Sequence, residues 1–166
     1  MELTFQLVRG LHWTSRVIGY FGAGYYSHID VLTPQGKLRG ARSDVIQGID
    51  PGYQDRPYNY EKWAAQTQYT ISVSDEEYTA YWAYSDAQLG KPYDKRGLID
   101  TFVFGRNWRD DGQWWCSEEV AMNLEVPNII QKLPPRVQSV EPGDCMYLFI
   151  GLQAKRQEFV NWVATG

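Results

Sequence analysis

The pattern of apolar and polar positions divides the chain into short strands and a few helices. Leu3 to Val8 alternates weakly and is rich in strand formers, which predicts a first strand. Thr14 or Ser15 can cap a short helix through about Phe21, ended by Gly22-Ala23-Gly24. Tyr26 to Thr33 predicts a second strand, with Ile29, Val31 and Thr33 on one face and His28, Asp30 and Leu32 on the other. Pro34-Gln35-Gly36-Lys37 is a turn signal, and Leu38 to Ser43 returns as the hairpin partner. Gln47 to Asn59 carries Gly48, Asp50-Pro51-Gly52 and Arg56-Pro57, which predicts a long irregular loop of a kind that is often functional. Thr67 to Val73 predicts another strand. Ser74-Asp75-Glu76-Glu77 has the form of a capping box opening a helix to about Leu89, where Gly90-Lys91-Pro92 stops it.

The second half is less regular. Gly97 to Asp111 shows no periodicity and runs into a polar turn at 107–112. Cys116 to Leu124 predicts a helix with Ser117, Glu118 and Glu119 in its first turn, an acidic bias suited to the positive end of the helix dipole. Cys145 to Gly151, an apolar run, predicts a last strand, and Ala154 to Val163 a short amphipathic helix. With no repeats and no low-complexity segment, the expectation is one α+β domain over residues 1–166.

Composition changes this picture little. The chain is 43% hydrophobic and 22% charged, and its seven Trp and twelve Tyr are rings that both fill cores and line grooves. The net charge is −4 and no run of Lys and Arg exceeds two residues, which argues against a nucleic-acid partner. No apolar run approaches the roughly twenty residues of a transmembrane helix. MELTFQLVRG is not a secretory signal, so the expected location of the chain as synthesised is the cytoplasm. Two cysteines make no disulfide framework, and a reducing compartment favours two thiols. His12, His28, Cys116 and Cys145 have no metal-ligand spacing, and no cofactor is expected.

Cys116 stands at the start of a predicted helix, where unpaired backbone N–H groups favour a thiolate and can hold an oxyanion. A small buried hydrophobe is the competing reading. A nucleophilic thiol needs a base, and the chain has two histidines. His12 lies in a Leu-His-Trp stretch without polar company and reads as structural. His28 begins a strand and faces away from Ile29 and Val31. Cys145, inside Cys-Met-Tyr-Leu-Phe-Ile, reads as core. Arg42, Arg56 and Arg96 are cations that could hold a substrate carboxylate, though nothing singles them out.

Tyr26-Ser27-His28-Ile29-Asp30-Val31-Leu32, followed by Pro34-Gln35-Gly36-Lys37-Leu38-Arg39-Gly40-Ala41, resembles the His hairpin of NlpC-type peptidases. Leu89-Gly90-Lys91-Pro92-Tyr93-Asp94 and then Trp115-Cys116-Ser117-Glu118-Glu119-Val120 resembles their Cys half. Here His precedes Cys, as in the circularly permuted branch of YiiX-like proteins and lecithin:retinol acyltransferases. The opening strand ending Val8-Arg9-Gly10 and the closing Ser139-Val140-Glu141-Pro142-Gly143-Asp144 resemble that branch too. Each motif is short. Four in order, across nearly the whole chain, are fairly specific.

The resemblance implies a permuted papain-like fold, with an antiparallel sheet packed against a Cys-bearing helix. It implies Cys116 as nucleophile, His28 as base and a Cys116 backbone N–H in the oxyanion hole. Tyr93 matches the family Tyr that lines the site; Trp115 and Ser117, on either side of Cys116, are further candidate substrate contacts. The family places a polar residue on the returning strand to orient the imidazole, whereas the ungapped hairpin puts Gly40 there. Asp30 is the best substitute, two residues along the face of His28 at a span of roughly 7 Å, with Ser43 and Asp44 as alternatives.

The implied activity is a thiol hydrolase of amide or ester bonds, acting on a peptide or acyl substrate such as peptidoglycan stem peptides, in a setting that includes phage or prophage. The alternatives are an inactive binding or assembly module on the same fold, and an acyltransferase. Oligomeric state is open.

Overall fold

The computed structural model describes residues 1–11, 25–94, 116–131 and 142–159. The helix expected at 14–21, the irregular segment 97–111, His12, Arg96, Trp108, Trp114 and Trp115 lie outside them. Six strands, β1 (Glu2–Gly10), β2 (His28–Leu32), β3 (Leu38–Arg42), β4 (Gly52–Arg56), β5 (Trp63–Ser72) and β6 (Lys155–Phe159), form one sheet in the order β4-β3-β2-β1-β5-β6. Every pairing is antiparallel. Three helices are described: α1 (Asp75–Gln88), α2 (Cys116–Glu125) and α3 (Pro142–Gly151).

Strand alternation gives the sheet two different faces. Leu3, Phe5 and Leu7 of β1, Ile29 and Val31 of β2, and Tyr69 and Ile71 of β5 join Tyr81 of α1, Val120, Ala121 and Leu124 of α2, and Cys145 and Phe149 of α3 in the main core. Phe149 stacks between Phe5 and Tyr69, at centroid distances of 4.7 and 5.5 Å. The intervening positions are polar. Gln6, Asp30, Gly40 and Gln68 share one row across the middle strands, and Gln66 and Gln68 both donate to Gln6 Oε1, at 2.7 and 3.0 Å. Beyond that row Val8, Leu38, Tyr60 and Trp63 make a second, smaller cluster.

Local signals account for several boundaries. In the β2–β3 turn Gly36 has φ +75° and Thr33 N–H bonds Lys37 O at 2.8 Å. The capping box that opens α1 is complete: Glu77 N–H donates to Ser74 Oγ at 3.2 Å and Ser74 N–H to Glu77 Oε2 at 2.7 Å.

Three expectations are corrected. Gln47 to Asn59 is not a continuous loop, because its middle pairs with β3 as β4. Five residues between Pro51 and Pro57 are a short edge strand, easily hidden by its turn-rich flanks. Cys145 to Gly151 is helical, within α3. Cys145 and Phe149 are buried and Tyr147 and Ile150 exposed, a helical spacing that an unbroken apolar run conceals. Pro142 opens that helix at a position that needs no N–H. The tail expected as a helix from Ala154 instead forms β6 over Lys155–Phe159, paired with β5. The reversal is made by a Schellman cap: Ala154 N–H bonds Phe149 O at 2.9 Å and Gln153 N–H bonds Ile150 O at 3.0 Å, with Gln153 at φ +56° where glycine is usual.

Candidate active site

Cys116 is the first residue of α2 and His28 the first of β2, and α2 packs on β2 and β3. The two side chains lie close enough for the thiol to act on the imidazole. Both are nearly buried, at 7% and 8% exposure, so a narrow edge of each remains open. Ser27 anchors the approach to β2: its N–H donates to Val8 O at 2.9 Å and its hydroxyl accepts from Gly10 N–H at 3.1 Å.

His28 Nε2 donates to Asp30 Oδ1 at 2.9 Å, with no bridging group. That leaves Nδ1 as the ring nitrogen free for the thiol. Burial by itself would lower the imidazole pKa, but the Asp30 charge and hydrogen bond, and then Cys116, outweigh it and push His28 up to about 9. Burial would likewise raise Asp30, yet the His28 charge, the bonds from His28 and Tyr60 and the Arg42 charge hold its carboxyl below the usual range. The pair is an imidazolium and a carboxylate around neutral pH.

Gly40 faces this pair from β3. A Cβ there would overlap Asp30 Oδ1 and stand 3.0 Å from Ile29 O. The Asp30 carboxylate therefore fills the space that a side chain at position 40 would need. The long span expected from β-strand spacing closes because the side chain has that empty volume to turn into.

Tyr60 completes the setting, and the sequence reading missed it. Its hydroxyl donates to Asp30 Oδ2 at 2.8 Å and accepts from Arg42 Nη1 at 3.3 Å. It stands in the connection between β4 and β5, one residue past the segment expected as a loop, and no signal in the sequence marked it. Arg42 is committed to Asp44 by two bonds of 2.9 Å and to Glu61 at 2.9 Å. Asp44 senses the His28 charge across this cluster, while Arg42 holds its carboxyl low against the effect of burial. Arg56 is fully buried, and its guanidinium donates to Gly40 O at 2.8 Å and Gly52 O at 3.2 Å, so it clamps β3 to β4 and is not open to a substrate carboxylate.

Tyr93 lies close enough to Cys116 for its phenol to sense the thiol's charge. Burial first, and that charge second, push it well above the ordinary tyrosine range. Its segment is fixed by two backbone bonds to β4, Tyr53 N–H to Lys91 O and Gly90 N–H to Tyr53 O, both 2.9 Å. Gly52, at φ +121°, permits this approach, since a Cβ there would overlap Lys91 O. Ser117 is buried in the first turn of α2.

Glu119 departs from its expected role as a dipole partner. It is buried beside Tyr53, and that burial pushes its carboxyl well above the ordinary range, which favours its neutral form. Cys145 is a core residue, as expected, with a thiol pushed up by burial.

This is an α+β protein with an antiparallel sheet, helices on one face and a Cys-His-Asp cluster at the junction of α2 and β2. Among solved structures it is similar to the crystal structure of metalloprotein YiiX from Escherichia coli O157:H7, at a TM-score of 0.51 and 16% identity, over 77% of this chain and 66% of that one. The likeness is one of fold, and the chain spans just under two thirds of that protein's length. No family model matches the sequence, and no curated protein matches it.

Among the described residues, no group of three or more His, Cys, Asp and Glu is arranged to hold a metal ion. Nor, among them, is any helix long and apolar enough to cross a membrane.

Proposed function

We propose that the chain is a thiol hydrolase of amide or ester bonds, working through an acyl-enzyme on Cys116 in one circularly permuted papain-like domain of the NlpC type. The observation that supports it is the line from Cys116 at a helix N-terminus to His28, which lies close enough for the thiol to act on it, and on by a hydrogen bond of 2.9 Å to Asp30. Such a line has the parts of a nucleophile, a base and an orienting carboxylate.

Cys116 Sγ attacks the carbonyl carbon of the substrate while the C=O electron pair moves onto oxygen. The oxyanion is met by the N–H groups of the first turn of α2. On collapse, the imidazolium of His28 protonates the departing amine or alcohol, leaving a thioester. His28, left neutral, then takes a proton from water as that water attacks the thioester, and expulsion of Cys116 Sγ as thiolate restores the starting imidazolium. Asp30 keeps Nε2 occupied, so that Nδ1 serves the reaction. Tyr93, Trp115 and Ser117 are the proposed substrate contacts. Resemblance to NlpC-type proteins points to cell-wall peptides as substrate and to a phage or prophage setting.

A binding module without turnover draws less support, since Gly40 does not leave the imidazole without an orienting partner. The test is iodoacetamide labelling of Cys116 across pH in wild type, His28→Ala and Asp30→Ala. The expected result is reaction persisting down to about pH 6 in wild type, and slowing by about tenfold or more in His28→Ala at that pH. Equal labelling in all three variants would sink the proposal.

A further inference from the structure

We propose that Tyr60 is a positioning residue for this site, fixing Asp30 so that one carboxylate oxygen stays aimed at His28; the inference rests on the hydrolase reading above. An aspartate side chain has two equivalent oxygens and two soft torsions. Held by His28 alone, it could turn away from the ring. Tyr60 takes the second oxygen at 2.8 Å while His28 takes the first at 2.9 Å, which leaves one orientation.

The direction of the tyrosine hydrogen bond is set by its neighbours. Arg42 can only donate, and it does so to the Tyr60 oxygen at 3.3 Å. An ionised Asp30 can only accept. The hydroxyl proton therefore points at Asp30, and Arg42, Tyr60, Asp30 and His28 form one line of donors and acceptors that ends beside Cys116.

Tyr60 is itself immobilised. Its N–H bonds Pro57 O at 3.1 Å, and Gln47 Nε2 donates to its carbonyl at 3.0 Å. Its ring meets Trp63 edge-to-face at 5.4 Å, with the guanidinium groups of Arg42 and Arg56 5.4 and 5.9 Å from its centroid. The titratable and charged groups around the line include Arg42 from β3, Asp44 after β3, Arg56 from β4, Glu61 before β5, and Cys116 and Glu119 from α2. The connection between β4 and β5 delivers a buried tyrosine to the base.

The experiment measures the rate and pH profile of Cys116 alkylation by iodoacetamide in wild type, Tyr60→Phe, Asp30→Ala, the double variant and His28→Ala, with a thermal melt of each. Tyr60→Phe removes one oxygen and should slow labelling near pH 7 by about tenfold, the effect of losing a hydrogen bond to a charged group. In the Asp30→Ala background the same change should have no further effect, because Tyr60 acts through Asp30. Labelling of Tyr60→Phe at the wild-type rate overturns the proposal, as does equal slowing with and without Asp30. Should Tyr60→Phe fail to fold, 3-fluorotyrosine at position 60, a stronger donor of nearly the same shape, carries the test. A displaced pH profile then supports the inference and an unchanged one overturns it. Labelling that ignores His28→Ala overturns the hydrolase reading and this inference together, and that variant alone reports it.

Discussion

Asp30 and Gly40 share one volume: the carboxylate on β2 lies where a side chain on β3 would begin, with His28 Nε2 2.9 Å from it. The absence of a side chain at position 40 is thus a condition for the Asp30–His28 bond.

Gly40→Ala should accordingly behave as a site variant. The added methyl must displace the carboxylate or the neighbouring Ile29 carbonyl, at a cost of about 1–3 kcal/mol if the core resists. Cys116 labelling near neutral pH should fall toward the Asp30→Ala rate, and a urea melt gives the stability change beside it.

The raised pKa of His28 makes stability depend on alkaline pH. A histidine whose folded value is about 9, against 6.5 when unfolded, binds its proton more tightly in the native state. Its contribution is complete below about 6.5 and is lost as pH rises through about 9, on the order of 3 kcal/mol in all. Urea melts of wild type should therefore weaken between those values, and His28→Ala should remove the part of that slope that the histidine supplies.

Glu119 gives a trend in the same direction from a different cause. Its folded pKa is raised by burial, so native stability falls as pH climbs above the ordinary carboxyl range. Glu119→Gln keeps the shape and removes that ionisation. Melting temperatures compared at about pH 5 and pH 8 should show a gain of a few degrees confined to the higher pH.

Arg56→Leu tests the clamp under the hairpin. The change strips donors from the carbonyls of Gly40 and Gly52, which lie 2.8 and 3.2 Å from the guanidinium. Each buried acceptor left unmade costs about 1–3 kcal/mol, so the variant should lose several degrees of Tm, with Cys116 reactivity falling as β3 loosens.

Much of this protein was legible in its residues. The β2–β3 hairpin, the Ser74–Glu77 capping box and the helix opening at Cys116 are local: each is decided by side chains within a few positions of the backbone they control. His28 and Cys116 could be named as partners because few residues can serve that chemistry, and Asp30 because it shares the strand face of His28.

The rest depended on neighbours distant in sequence. Lys155–Phe159 is a strand because β5 presents an open edge to it, not because Lys, Arg, Gln and Glu prefer strands. Gly52–Arg56 is a strand because β3 lies beside it. The direct Asp30–His28 bond needed the vacancy at Gly40, and the tyrosine behind it comes from a segment thirty residues away. Sequence by itself determined which groups could react and the local elements that carry them. Tertiary structure decided which of those groups meet, because a hydrogen bond a few ångströms long depends on how distant segments pack, and no local pattern encodes that packing.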